Sequence, residues 1–132
     1  MRMTLVVARG VIEALLAEAA RRDPEECCGL LLGEGDIDAI TSTANVAAEP
    51  HRRFEIDPAA LIAAHKASRA GGAQIAGYYH SHPAGIAEPS ATDRALAARD
   101  GRVWAIVAGR SVTFWRDAPG GFEPLSYTVA DG

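Results

Sequence analysis

A short apolar run that ends in two histidines and a proline is the feature of this sequence that most restricts its fold. Residues 74–79 are mostly apolar and aromatic, a composition typical of a β-strand. His80 and His82 follow at its end, and residues two apart along a strand point to the same face. Pro83 cannot continue a central strand, so the chain must turn there. The sequence therefore predicts a strand whose end directs two imidazoles towards one point.

A carboxylate follows at a spacing that suits the same point. The loop after Pro83 leads to a predicted helix that begins near Ser90 and carries Asp93 in its first turn. Two imidazoles and one carboxylate can hold a zinc ion and leave one coordination position for water, which is a catalytic arrangement. Simpler explanations stay open, because the histidines could be polar residues at a half-exposed strand end. Ser90 and Asp93 also match a capping box, which would fix the direction of Asp93 without excluding metal binding.

Two motifs of this sequence belong together. The first is His-Ser-His-Pro at residues 80–83, followed by Pro-Ser-Ala-Thr-Asp at residues 89–93, and the second is Pro-Glu-Glu-Cys-Cys-Gly at residues 24–29. Together they resemble the JAMM (MPN-plus, Mov34/PAD-1-like) zinc metalloprotease family, in its small bacterial single-domain type, and Glu26 matches the upstream glutamate of that family. The similarity also takes in residues 54–58 and covers residues 3–128.

The resemblance implies a cytidine-deaminase-like α/β fold, in which helices flank a central mixed β-sheet. It implies one Zn²⁺ per chain, held by His80, His82 and Asp93, and no organic cofactor. It also implies that Glu26 is the general base for zinc-activated water and that Ser90 hydrogen-bonds near the metal to stabilise developing negative charge. On the residues alone, Glu26 also fits a solvated loop position and Ser90 a plain helix cap.

The resemblance further implies a zinc metallopeptidase that hydrolyses a peptide or isopeptide bond at the C-terminus of a ubiquitin-like or sulfur-carrier β-grasp protein. Two alternatives stay open, a zinc amidohydrolase acting on a non-protein substrate and a non-catalytic MPN-type interaction module. The second is disfavoured because metal-free members of the family lack the ligand set that this sequence keeps. Substrate identity, the choice between peptide and isopeptide bonds, and the oligomeric state remain open.

Length and composition fit a single domain over residues 1–132, with 48% hydrophobic and 23% charged residues. The net charge of -4 and the lack of a basic run argue against nucleic-acid binding. No apolar stretch approaches a membrane span and no secretion signal opens the chain, so we expect no membrane partner and a cytoplasmic location. The adjacent Cys27 and Cys28 are no disulfide framework, and we interpret them as small buried residues at a strand start.

Periodicity and breakers predict the other elements of an α/β chain. We expect helices over residues 11–22, 58–70 and 90–99, and strands over residues 3–8, 26–33, 37–43, 54–56, 74–82, 103–107, 112–116 and 122–129. Glu18 falls outside the apolar stripe of the first helix, and Pro124 makes the last strand an edge candidate. His51 and His65 match no motif and are expected on the surface, while Trp104 and Trp115 are expected to serve packing.

Overall fold

The seven strands and three helices that a computed structural model places over residues 4–131 confirm the predicted α/β architecture. In chain order these elements are β1 (Thr4–Ala8), α1 (Arg9–Arg22), β2 (Cys28–Leu32), β3 (Ala39–Thr43), α2 (Pro58–Arg69), β4 (Ile75–Ser81), α3 (Ala91–Leu96), β5 (Val103–Ala108), β6 (Ser111–Ala118) and β7 (Gly121–Ala130). The expectation that the first strand includes Met3 lies outside the described residues. Over the described range, no helix combines the length and the apolar character that crossing a bilayer demands.

One mixed sheet holds all seven strands in the order β1-β7-β6-β5-β4-β2-β3. The β1–β7 and β4–β5 pairs are parallel, and the other neighbours are antiparallel. Because β2 runs antiparallel to β4 with Cys28 opposite His80, the start of β2 lies beside the end of β4. The Ser81 N–H extends this contact by donating to the carbonyl of Cys27 at 3.1 Å. This register brings Glu26 next to the two histidines.

The packing of α1 corrects one expectation from the sequence. Glu18 was expected outside the apolar face, but it is only 2% exposed. It lies one turn beyond Leu15, which is fully buried, so both side chains face the sheet. The hydroxyls of Tyr79 and Ser42 donate to its carboxylate, which offsets the cost of burying a charged group. Helical spacing could not reveal these partners, because they come from two distant strands.

The helix that carries Asp93 is shorter than predicted. It was expected over residues 90–99, but α3 ends at Leu96. Ala97 is already extended, and Arg99 takes a left-handed conformation with φ of 56°. The Arg99 N–H donates to the buried carboxylate of Asp117 at 2.9 Å. This bond to β6 stabilises a loop where the sequence alone favours more helix.

The predicted short strand at residues 54–56 is also wrong, because this segment forms only an isolated bridge between Asn45 and Ile56. The helix start after it is confirmed, since the Asp57 carboxylate accepts from the Ala59 N–H at 3.1 Å and Pro58 is the first helical residue. The two residues of the helix cap lie two positions apart, so local sequence signals could predict it. Strand pairing at residues 54–56 depends on a more distant segment, which such signals do not describe.

The expectation that the last strand is an edge is wrong as well, since β7 lies between β6 and β1. Pro124 pairs with Trp115 of β6, and within residues 4–131 the pairing of β7 with β1 runs from Ser126 to Ala130, so no described residue of β1 lies opposite the proline.

Candidate metal centre

Three buried side chains converge on one point, one from β4, one from the residue that follows β4 and one from α3. His80 lies in β4, His82 follows the strand directly, and Asp93 lies in the first turn of α3. The Nε2 atom of His80 is 3.0 Å from Oδ1 of Asp93, and Nε2 of His82 is 3.1 Å from Oδ2. The two Nε2 atoms are 3.0 Å apart. Three donors of the types that transition metals prefer therefore face one another, and together they could hold a metal ion.

The start of α3 fixes the position of Asp93. The Asp93 N–H donates to the hydroxyl oxygen of Ser90 at 3.0 Å, and the Ser90 N–H donates to Oδ2 of Asp93 at 2.9 Å. This pair is the predicted capping box, and it coexists with convergence on the histidines. Because the hydroxyl oxygen acts as the acceptor in the cap, the O–H of Ser90 remains able to donate a hydrogen bond.

The hydrogen bonds of His82 provide a test of whether a cation fits here. Its Nδ1 is 2.7 Å from the carbonyl of Ile86, which can only accept, so Nδ1 carries the proton. In the neutral ring Nε2 is then a bare acceptor that faces the Asp93 carboxylate, and two acceptors repel unless a cation or a proton lies between them. Burial alone would lower the pKa of His82, but the bonds with Asp93 and Ile86 raise it above its usual value.

The spacing of the donor atoms also fits zinc. Tetrahedral Zn²⁺ with bonds of 2.0–2.1 Å places its ligands roughly 3.3 Å apart, close to the separations of 3.0 and 3.1 Å at this site. The set of two imidazoles and one carboxylate leaves the fourth position for water or substrate. The residues therefore fit a catalytic zinc ion.

His80 lies against an aromatic wall. Its ring is fully buried and stacks on Phe54 with centroids 4.3 Å apart, while the Trp104 ring meets it edge-on at 5.6 Å. Burial lowers the pKa of His80, which favours the neutral imidazole that binds metals. Trp104 thus serves packing, as expected from the sequence. One of the side chains that it packs against is the candidate ligand His80.

Glu26 lies beside this centre, two residues before β2 begins, and is 6% exposed. It lines a cleft of about 440 Å³ together with His82 and Ser90. Burial raises the pKa of Glu26 to about 7, while nearby His82 lowers it and Asp93 raises it. A carboxyl group with such a pKa can both take and give a proton near neutral pH. Its neighbour Glu25 is exposed and lies outside this cleft.

A turn that the sequence did not single out borders the same cleft. His51 and Arg52 both line it, although His51 matches no motif and was expected only to be a surface residue. His51 is exposed, so that expectation is confirmed, but its place beside Glu26 was missed. The Glu26 N–H donates to the carbonyl of Pro50 at 2.8 Å, which ties this turn to the backbone of Glu26.

Asn45 fixes the turn from the other side. Its amide nitrogen donates to the carbonyls of Glu26 and Arg53 at 3.0 and 3.1 Å. Its amide oxygen accepts from two backbone N–H groups at 3.0 Å, those of Ala47 and Glu55. All four hydrogen-bonding positions of the side chain are therefore used. No local signal in the sequence could identify Asn45, because its partners are backbone groups of a folded loop.

The two cysteines are not candidate ligands. Both are buried and free, as the sequence predicted, and burial raises the pKa of the Cys27 thiol to about 11. Ser81 points away from the metal centre, where its hydroxyl accepts from the Cys27 N–H at 2.8 Å. This bond joins β4 to the segment that carries Glu26.

Comparisons with known proteins agree with this geometry. The family model for prokaryotic homologs of the JAB domain matches residues 8–118. The chain is 40% identical over 103 residues to a desampylase of Haloferax volcanii. The aligned segment covers 75% of this chain and 74% of the relative. It is 36% identical over 91 residues to a probable TtuB-protein conjugate cleaving protease of Thermus thermophilus, covering 69% of this chain and 62% of that protein.

A third relative and a solved structure match nearly the whole chain. The CysO-cysteine peptidase of Mycobacterium tuberculosis is 30% identical over 130 residues, covering 97% of this chain and 84% of the peptidase. The solution structure of protein DSY2949 from Desulfitobacterium hafniense superposes with a TM-score of 0.83 at 27% identity. That match covers 98% of this chain and 94% of the other.

Proposed function

The chain belongs to the family of prokaryotic JAB-domain proteins, and from this premise we propose that it is a zinc-dependent peptidase. Its substrate is a ubiquitin-like or sulfur-carrier β-grasp protein, cut at a peptide or isopeptide bond at the C-terminus. The observation that carries this proposal is the convergence of His80, His82 and Asp93 beside a buried Glu26. The substrate class rests on relatives named for cleaving TtuB-protein conjugates and CysO-cysteine.

In this proposal His80, His82 and Asp93 hold the zinc ion. Bound Zn²⁺ supplies a Lewis acid that polarises a carbonyl group and lowers the pKa of water to about 7. The capping box, the Ile86 carbonyl and the aromatic wall keep the three ligands in place without help from substrate.

Glu26 moves the proton. It takes one proton from the attacking water, whose oxygen forms the new bond to the carbonyl carbon. When the C–N bond breaks, Glu26 returns that proton to the departing nitrogen, which gives a carboxylic acid and an amine, and the acid then passes its own proton to the amine, so that the products are a carboxylate and an ammonium group. Its pKa of about 7 suits both halves of this cycle, because neither protonation state is strongly disfavoured at neutral pH.

Ser90 supplies a hydrogen bond to the reacting carbonyl. Its hydroxyl oxygen is held by the Asp93 N–H, while its O–H is free to donate towards the cleft. A fixed donor aimed at an oxygen that gains negative charge stabilises the transition state more than the ground state.

The test of this function is an intact-mass assay on β-grasp carrier proteins that end in Gly-Gly followed by a short extension. We expect zinc-loaded protein to remove the extension, and we expect chelation to abolish the mass loss. A carrier linked through Gly-Gly to a lysine side chain tests isopeptide cleavage in parallel. If zinc-loaded protein leaves all of these substrates intact, the proposed function is wrong.

Replacing Ser90 separates its two roles. Ser90→Gly removes the hydroxyl but remains an acceptable N-cap, so stability should fall by only a few tenths of a kcal/mol. If the hydroxyl stabilises developing charge, kcat should fall by about 10²-fold or more. Ser90→Thr keeps both the hydroxyl and the cap and should retain most of the activity. A Ser90→Gly enzyme with the kcat of the wild type would reduce Ser90 to a helix cap.

A further inference from the structure

One guanidinium that lines the cleft of Glu26 has no partner among the residues that the structure describes. Arg52 is exposed and lines the cleft, and within residues 4–131 its side chain makes no hydrogen bond or ion pair. The adjacent Arg53 differs, because it pairs with Glu49 at 3.6 Å and does not line this cleft. Among the described residues that line the cleft, Arg52 alone carries a permanent positive charge.

The position of Arg52 is tied to that of Glu26. Its own N–H donates to the carbonyl of Glu49 at 2.9 Å, which closes the turn. The turn is joined to the Glu26 backbone through Pro50 on one side and Asn45 on the other. These bonds hold the backbone of Arg52 at a fixed place relative to Glu26, so the planar donors of its side chain stay at the same cleft as the candidate base.

The charges around the cleft indicate what this arginine binds. Two carboxyl groups, Glu26 and Glu88, line the same cleft, so away from the metal position an anionic group is disfavoured there except where Arg52 offsets them. The backbone on the acyl side of a Gly-Gly bond is neutral. On the leaving side, a single C-terminal amino acid carries a carboxylate only two bonds from the departing nitrogen. A lysine side chain joined by an isopeptide bond presents a chain of methylenes instead.

We propose that Arg52 binds the α-carboxylate of the leaving residue, so that the enzyme prefers a peptide bond to one C-terminal amino acid over an isopeptide bond. The proposal rests on the proposed function, since it concerns the same cleft and the same bond. Arg52 acts here as a specificity determinant, because it contacts the substrate and takes no part in moving the proton.

Two substrates that differ only in charge test this proposal. One is a β-grasp carrier that ends in Gly-Gly-Ala with a free carboxylate, and the other ends in the corresponding C-terminal amide. We expect the wild type to cleave the acid with a kcat/KM about tenfold higher than the amide, mainly through KM, as suits one charge-assisted hydrogen bond. Arg52→Ala should bring the ratio close to one by slowing only the acid. Arg52→Lys should keep part of the preference, and Arg53→Ala should keep all of it.

A binding measurement separates this proposal from the proposed function. Zinc-loaded Glu26→Gln protein should bind the acid about tenfold more tightly than the amide, and Arg52→Ala in that background should remove the difference. If binding shows this pattern while the wild type cleaves neither substrate, the Arg52 site stands and the peptidase function falls. If both substrates are cleaved and bound equally well, the function stands and the Arg52 proposal is overturned. If Arg52→Ala weakens acid and amide alike, or neither substrate binds, the proposal is also overturned.

Discussion

Replacing Glu26 with glutamine should reduce kcat/KM by about 10³-fold and leave the zinc content unchanged. Glutamine keeps the size and the buried position of the side chain, but it cannot take a proton from water. None of the three candidate ligand atoms belongs to Glu26, so metal binding should persist. The measurement is turnover of the carrier substrate together with zinc analysis of the same preparation. The matched control is Glu25→Gln, which changes an exposed neighbour outside the cleft and should retain full activity.

The free energy of unfolding of metal-free wild type and metal-free Glu26→Gln, measured against pH, shows whether the variant loses activity because it cannot move a proton or because its fold is damaged. Burial raises the pKa of Glu26 from 4.5 in a free side chain to about 7 in the fold, so between these values the folded state binds more protons than the unfolded state. The free energy of unfolding contributed by this group therefore falls as pH rises from 4.5 to 7, and the penalty is complete above 7. Glu26→Gln should lose this dependence and be the more stable protein at pH 8. Retained turnover in a folded Glu26→Gln protein would remove Glu26 from its role as base.

The convergence of the three candidate ligands was predictable from the sequence because their spacing is set by local structure. His80 and His82 share a face through the period of a strand, and Asp93 is placed by a capping box with Ser90, so short-range rules reach all four residues. Glu26 lies far from them in sequence, and only the resemblance to a family joined it to the site. In the structure, the pairing of β2 with β4 brings it there.

The parts that sequence did not reveal depend on tertiary partners. Glu18 is accommodated in the core by hydroxyls from two other elements, and the end of α3 is set by the carboxylate of Asp117 on β6. Arg52 lies at the cleft on a turn without regular structure. The Asn45 side chain holds that turn through four hydrogen bonds to backbone groups. Periodicity and turn signals describe neighbours along the chain, so they cannot identify contacts of this kind.

Replacing His82 with alanine should remove the metal and with it the activity. The change takes away one of three ligand atoms, and His80 with Asp93 alone supplies too few donors for a zinc site. After dialysis we expect zinc to fall from about one equivalent per chain to about 0.1 or less, and turnover to fall to background. Added zinc should raise the Tm of the wild type but not that of the variant, because only a folded site that binds the ion gains stability from it.

The control for this prediction is another histidine of the same chain. His65 is half-buried on α2 and is not among the clustered ligand atoms, so His65→Ala should keep its zinc and its response to zinc. Metal-free His82→Ala loses the bond to the Ile86 carbonyl and the contacts of Nε2 with Asp93 and His80, so its Tm should lie below that of metal-free wild type, but it should still unfold cooperatively. A folded His82→Ala protein that still holds a full equivalent of zinc would contradict the ligand set, whereas loss of zinc from His65→Ala as well would place the metal elsewhere.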